Sequence, residues 1–442
     1  MKLFRQILFW SHLAAGLIAG LFIGVMCFTG TVIAFEDEIV AWAERDARQV
    51  VPPAETTRLT FTDLQRKLRE AQPEFRSTSV TLQKDPTAAI NYSAGREGGF
   101  YVNPYTGEVR SPASTKVHDF MHVMIDWHRF LGREGEQRPL GKLINGICNI
   151  AFFALAVTGL YLWWPRTFNW RGVKAIALFN WKLSGKARDF NWHNAIGLWS
   201  APILIVLTLT AVPISFRWGS NLIYQLVGEE PPAQQGPAGT TAPTIEIKRP
   251  SPESKPLGYD VIVPAIQKDF SQWEQIVLRS GGAQRGGQRP AGMANPAAPR
   301  TESTAAMTSE RATPPSPEST PGKIENRESR IANPAGRTGP QPLTVTIRES
   351  GSWPRTATTT LTLNPFTGEI LKREGFSDFS TGRQIRTWTR FLHTGQALGW
   401  PGQLIAGLAC LGGCFLVYTG FALSWRRFFG KKLSAAGSVA TS

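Results

Sequence analysis

Six histidines occur among 442 residues, and their distribution is uneven. The stretch "VHDFMHVMIDWHRFL" at 117–131 holds His118, His122 and His128; His393 sits in "FLHTG", and His12 and His193 lie inside apolar runs. An imidazole titrates near neutrality and offers a lone pair to a metal or a path to a proton. No other chemistry competes with it. The chain has no G-x-G-x-x-G after a strand pattern, no C-x-x-C-H, and no evident nucleophile or acid–base pair. Its four cysteines (Cys27, Cys148, Cys410 and Cys414) all fall within apolar runs, where thiols read as inert packing groups.

The elements that must position these rings are four apolar segments, about 7–35, 142–164, 192–216 and 403–425, each long enough to cross a bilayer. The first follows Lys2 and Arg5 and is succeeded by Glu36, Asp37 and Glu38 instead of a small-residue cleavage site, so it reads as a retained helix. Basic residues gather at 2–5 (+2), between the second and third spans (Arg166, Arg171, Lys174, Lys182, Lys186 and Arg188 against Asp189, +5) and after the fourth (Arg426, Arg427, Lys431 and Lys432, +4). These account for +11 of the formal net charge of +15. The charge therefore reads as topology and headgroup attraction, not nucleic-acid binding. Both termini are expected in the cytoplasm, and 36–140 and 217–401 outside. Of the fifteen tryptophans, Trp163, Trp164, Trp192, Trp218, Trp400 and Trp425 stand near span ends as an aromatic belt.

The chain also matches itself. "YVNPYTGEV" at 101–109 recurs as "LTLNPFTGEI" at 361–370, and at the same offset of 261 Trp127, Arg129, Phe130 and Leu131 fall on Trp388, Arg390, Phe391 and Leu392. Gly141, Leu143, Ile144 and Gly146 then fall on Gly402, Leu404, Ile405 and Gly407, and Thr158, Gly159, Trp164 and Arg166 on Thr419, Gly420, Trp425 and Arg427. The first and third spans align at an offset of 181, which pairs His12 with His193, Gly16 with Gly197, Thr29 with Thr210 and Phe35 with Phe216. The 80 extra residues of the second copy lie in its soluble part, where 280–341 is Gly-, Pro-, Ala- and Thr-rich and is expected to be disordered. Another Pro/Gly stretch occupies 231–243.

The expected fold is an α-helical four-helix transmembrane bundle with two extracytoplasmic α+β modules and an internal two-fold repeat. Its parts are helix 1 at 1–36, module 1 at 37–117, an interfacial helix at 118–140, helix 2 at 141–165 and a basic loop at 166–190. Helix 3 at 191–218, module 2 at 219–380, an interfacial helix at 381–401, helix 4 at 402–426 and a tail at 427–442 complete it. "TFTDLQRKLREAQPEF" opens on a Thr cap with Leu64, Leu68 and Ala71 on one face, and "YDVIVPAIQKDF" is its counterpart. "TSVTLQ", "GFYVNP", "EQIVLR", "LTVTIR" and "ATTTLTL" read as strands, with turn chemistry in "NPYTGE".

His12 and His193 hold equivalent places about one turn into paired spans. A neutral imidazole that donates electrons to iron avoids the cost of a charge in the bilayer. Gly16 and Gly197, four residues on, clear the same helix face for a flat macrocycle. Two such rings from facing helices would hold a bis-histidine haem b, a ligation suited to electron transfer; the alternative is a symmetric packing pair. His128 and His393 precede the second and fourth spans and form the natural second pair, although in ungapped register they miss by four residues. His118 and His122 have Phe379 and Arg383 in their matching places; they could bind a metal, line a substrate approach, replace His128 as ligand, or form a polar interfacial face. Arg129 and Arg390, matched beside these ligands, could pair with haem propionates or snorkel.

The two NP[YF]TGE turns, the "TGLYLWWPR" and "TGFALSWRR" span endings and "FLHTG" resemble the bacterial PepSY-associated transmembrane-helix family, over nearly the whole chain except 231–243 and 280–341. Its members are often described as iron-regulated inner-membrane proteins, and they include ferrisiderophore reductases with two b-type haems. The resemblance implies PepSY-like periplasmic modules, two haems b, and His12 with His193 as cytoplasmic-side and His128 with His393 as periplasmic-side ligands. It also implies reduction of a ferric siderophore or other Fe(III) chelate. Without a nucleotide or flavin signature, electrons must come from a cytoplasmic reductase or membrane quinol. The competing reading is a non-enzymatic peptide- or partner-binding protein whose histidines are structural. A transporter fits poorly, because the halves run parallel and lack a broken helix with intramembrane carboxylates. A reporter enzyme active only in the periplasm is expected to be silent when fused after Ser442 and active within 36–140. Activity after Ser442 would reverse the topology.

Overall fold

The computed structural model describes residues 2–54, 57–95, 98–112, 115–163, 169–232, 247–251, 253–280 and 340–429. Most of the expected insert (281–339), most of the 231–243 stretch, and Trp164, Arg166, Lys431 and Lys432 lie outside them. The chain begins with α1 (Lys2–Ile33), α2 (Glu36–Ala43), α3 (Arg45–Arg48) and α4 (Phe61–Ala71), followed by β1 (Ser79–Gln83), β2 (Ile90–Ser93), β3 (Gly99–Val102) and β4 (Val109–Arg110). Next come α5 (Thr115–Phe130), α6 (Arg138–Trp163), α7 (Trp170–Ala177), α8 (Gly185–Ser215), α9 (Arg217–Leu226) and α10 (Tyr259–Asp269). The chain continues through β5 (Trp273–Ser280), β6 (Leu343–Glu349), β7 (Thr359–Leu363) and β8 (Ile370–Glu374) to α11 (Thr381–His393) and α12 (Trp400–Phe428).

Four of these helices, α1, α6, α8 and α12, are long and apolar enough to cross a membrane. α1 and α8 each pack on both α6 and α12, so they take opposite corners of a four-helix bundle. α12 approaches its neighbours closely through glycine: a Cβ at Gly412 would strike Ser200 of α8, and one at Gly413 would strike Cys27 of α1. Small residues at such contacts let membrane helices gain dispersion where no hydrophobic driving force acts between them. The expected interfacial segments are shorter than 118–140 and 381–401. α5 stops at Phe130, where Leu131 and Gly132 turn left-handed at φ 54° and 68°. α11 stops at His393, ahead of Gly395 at φ 72°.

The soluble parts differ from the expectation of two modules. Among the described residues, eight strands form one antiparallel sheet in the order β4-β3-β2-β1-β5-β6-β7-β8, and β1 pairs with β5 from Ser79↔Arg279 to Gln83↔Gln275. Two separate four-stranded sheets would each leave an open edge at β1 or β5; pairing them removes both edges. One core also spans the junction, with Leu64, Leu68, Val80 and Tyr92 of the first half packed in the same cluster as Ile266, Ile276, Val345 and Leu361 of the second. α4 is capped by Thr60, whose hydroxyl accepts from the Asp63 N–H. Asp260 of α10 accepts from the N–H groups of Phe61 and Thr62, satisfying donors that a helix start leaves open.

The two NP[YF]TGE turns are built alike. Asn103 Oδ1 accepts from Tyr105 N at 2.9 Å, and Asn364 Oδ1 from Phe366 N at 2.9 Å. Each turn closes on a glycine at φ 74°, Gly107 or Gly368, a left-handed position that a side chain would strain. The strands expected from sequence are present, with Ser280 belonging to β5 and not to the insert. β2, β4 and β8 are additional.

Ile276 of β5 is fully buried at the junction. Ile276→Ala is expected to cost about 2–5 kcal/mol and to raise protease sensitivity in both 79–110 and 343–374. Sensitisation of the second stretch alone would show that the half-sheets unfold separately.

Candidate functional site

At the sheet end of the bundle, α5 and α11 bring His128 and His393 together with ring centres 6.2 Å apart and planes inclined by 47°. His128 Nδ1 lies 3.1 Å from the Met26 carbonyl and 3.0 Å from the Thr29 hydroxyl on α1; His393 Nδ1 lies 2.9 Å from the Leu207 carbonyl on α8. Met26 and Leu207 are separated by 181, the offset that aligns α1 with α8. The two rings therefore occupy equivalent seats despite their four-residue mismatch in sequence. A carbonyl only accepts, so each Nδ1 carries the hydrogen and each Nε2 keeps its lone pair. Lost hydration pushes His128 down to about 4, with His393 adding to the effect, and burial lowers His393 too. Both rings are neutral at pH 7.

Toward the other end of the bundle, His12 and His193 line a cavity of about 1010 Å³ together with Gly16, Gly197, Gly159 and Gly420. His12 Nδ1 lies 2.9 Å from the Thr158 hydroxyl on α6, and His193 Nδ1 2.8 Å from the Thr419 hydroxyl on α12. A Cβ on Gly159 would come within 3.4 Å of His12 Cε1, and one on Gly420 within 3.7 Å of His193 Cε1. Gly16 and Gly197 leave open wall, with Leu155 and Leu416 methyls as the nearest atoms a Cβ would meet, at 3.9 and 3.6 Å. Lys2, Arg5, Lys186 and Arg427 also line the cavity. Nearby, buried Asp189 joins α8 to α12 through Arg426 at 3.2 Å while also pairing with Arg188 at 3.0 Å.

Arg129 lies over the Phe130 ring, and Arg390 is half-buried on α11 one turn after Arg386. Burial lowers the Arg390 guanidinium, and the positive Arg129 and Arg386 lower it further. These arginines thus form a positive cluster on the elements that carry His128 and His393. His118 is engaged elsewhere. It is buried, and its Nε2 meets Glu44 Oε1 at 2.7 Å; Arg48 and Tyr101 hold Glu44 Oε2 at 2.8 and 2.9 Å. Burial alone would raise the Glu44 carboxyl, but the His118 bond, the Arg48 charge and the Tyr101 hydroxyl outweigh it and hold the group below its ordinary 4.5. This network ties α5, and with it His128, to α2, α3 and β3. His122 is half-buried one turn beyond His118. Among the described residues no group of three or more His, Cys, Asp or Glu side chains is arranged to hold a metal ion, and all four cysteines are free.

Sequence reasoning paired all four rings but assigned no role to Thr29, Thr158 or Thr419, although self-comparison aligns Thr29 with Thr210 and the Thr158-Gly159 dipeptide with Thr419-Gly420. Glu44 and Arg386 carried no local signal.

The profile of the PepSY-associated TM region matches residues 9–427. No curated protein matches the chain.

Glu44 supplies a pH test. A carboxyl with a depressed folded pKa adds stability that is present above its unfolded value and lost as pH falls through the folded one. Glu44→Gln is expected to lose about 3–5 kcal/mol at pH 7. The gap in thermal midpoint between wild type and variant should narrow as pH falls below 4.5. A constant gap would show that Glu44 acts by shape alone.

Proposed function

The chain belongs to the family that carries the PepSY-associated TM region, and from this premise we propose that it is a haem b electron-transfer protein of the bacterial inner membrane. In this reading it takes electrons from a cytoplasmic reductase or the quinol pool and reduces a chelated ferric ion, such as a ferric siderophore, in the periplasm. Both termini are cytoplasmic, the His12–His193 cavity faces the donor, and the sheet and the His128–His393 pair face the periplasm.

The observation that carries the reading is the arrangement of the outer pair. His128 and His393 each give Nδ1 to the scaffold and keep a lone pair on Nε2, so these two rings would hold a haem iron between them. The rings of His128 and His393 are 6.2 Å apart. The residues present also fit a haem at the inner pair, where two imidazoles and six glycines bound a cavity of about 1010 Å³. When bound between two imidazoles, haem supplies one-electron chemistry with no open coordination position.

The side chains divide the remaining work. Lys2, Arg5, Lys186 and Arg427 present positive charge to carboxylates in the inner cavity. Arg129, Arg386 and Arg390 do so at the outer end, where they also favour an anionic chelate. The bundle keeps water from the rings between these ends. Hard oxygen chelators release iron once it is ferrous, because the softer, less charged ion binds them less well.

Haem-to-protein stoichiometry across single histidine variants tests the proposal. Wild type should show the sharp visible bands of reduced bis-histidine haem at two per chain. His12→Ala, His193→Ala, His128→Ala and His393→Ala should each retain about one, since an apolar site offers no replacement ligand. His118→Ala and His122→Ala should keep both. Full content in all six variants, or none in wild type, would refute the haem assignment and leave partner binding as the better account.

A further inference from the structure

We propose that Thr158 and Thr419 are positioning residues that select which nitrogen of His12 and His193 faces the cavity; the inference rests on the reading of these rings as ligands. A ring nitrogen beside a hydroxyl is ambiguous, because a hydroxyl can donate or accept. Here the ambiguity is removed inside the threonine's own helix. Thr158 Oγ1 donates to the Ala154 carbonyl at 2.7 Å, and Thr419 Oγ1 donates to the Phe415 carbonyl at 2.8 Å. A hydroxyl has one hydrogen, and that hydrogen is already used.

Each threonine oxygen can then only accept, so the facing Nδ1 must carry the ring hydrogen. A neutral imidazole has a single N–H, which leaves the lone pair on Nε2. The glycine after each threonine lies beside the ring edge, where a Cβ at Gly159 or Gly420 would meet Cε1 at 3.4 or 3.7 Å. The two ends of the bundle thus reach the same tautomer by different means. At the outer pair the acceptors include backbone carbonyls, which no substitution removes. At the inner pair the acceptor is a side chain. The Leu416 backbone carbonyl also accepts from His193, so Thr158 is the more exposed dependency.

An Nδ1–H that donates to a good acceptor makes the imidazole more electron-rich, which favours ferric over ferrous iron, and losing such a partner typically weakens metal binding. Thr158→Val keeps the shape and removes the oxygen; Thr158→Ser keeps the oxygen. The first readout is ¹⁵N NMR of histidine-labelled, haem-free protein, which reports the tautomer without any cofactor. His12 should be Nδ1–H in wild type and Thr158→Ser, and should shift toward Nε2–H in Thr158→Val. The second readout is titration with ferric haem: Thr158→Val should bind at the inner site roughly 10–100-fold more weakly, with a more positive inner midpoint potential and the outer haem unchanged. Thr419→Val should move the same way by less. Wild-type tautomer, affinity and potential in Thr158→Val would overturn the assignment. So would equal losses in Thr158→Ser and Thr158→Val, or loss of both haems in Thr158→Val with Thr158→Ser intact, because these mark a packing role. A tautomer shift in a protein whose wild type binds no haem would uphold the hydroxyl's role and refute the ligand reading alone.

Discussion

A bilayer interior offers no water, so every polar atom placed there must find its partner within the protein. An imidazole brings two such atoms, while a membrane helix has few groups to spare. Its N–H groups are consumed by the helix ladder, leaving spare carbonyl lone pairs and the occasional hydroxyl. The bundle uses both: Met26 and Leu207 offer carbonyls, and Thr29, Thr158 and Thr419 offer hydroxyls. One nitrogen of each ring is thereby committed to the scaffold. The remaining helix positions follow from getting those acceptors next to the rings, which is why close glycine contacts accompany them.

The sheet serves the same end from outside the membrane. α5 follows β4 and α11 follows β8, so the two helices that carry the outer pair follow the two ends of one eight-stranded sheet. The Glu44–His118–Arg48–Tyr101 network adds a fixed point on α5. None of these four residues lies in a spanning helix.

Much of this was legible in the chain itself, for identifiable reasons. Spans announce themselves by length and apolarity, and self-comparison paired His12 with His193 because no insertion separates either from its neighbours in the span. His128 and His393 fell out of register because the first copy is four residues shorter than the second before the ring (Asn103 to His128 against Asn364 to His393) and four longer after it (His128 to Gly141 against His393 to Gly402), changes that cancel in the flanking register. Their equivalence appears only through their shared acceptors. β2, β4 and β8 escaped notice because they are short or mostly solvated and lack a sustained alternation. The β1–β5 junction was invisible for a different reason: a strand's sequence states which face is buried but not which partner lies beside it. Glu44 and His118 are 74 residues apart, and neither helix pattern hints at the other.

The β1–β5 pairing has a consequence for how such a chain could be divided. The two strands cross antiparallel at the centre of the sheet, with Thr81 opposite Val277, and each half supplies four strands, two spanning helices and one ring of each pair. A polypeptide with only the first half would end its sheet at a bare β1. An antiparallel edge of that kind is self-complementary, so the partner it accepts most readily is another copy of itself, related by a two-fold axis. Such a homodimer would restore an eight-stranded sheet and bring two copies of each ring to face one another. In the present chain both halves are covalently joined, so the second half is released from matching the first. Its soluble part is the longer of the two, and differences such as His118 against Phe379 can accumulate on one side only.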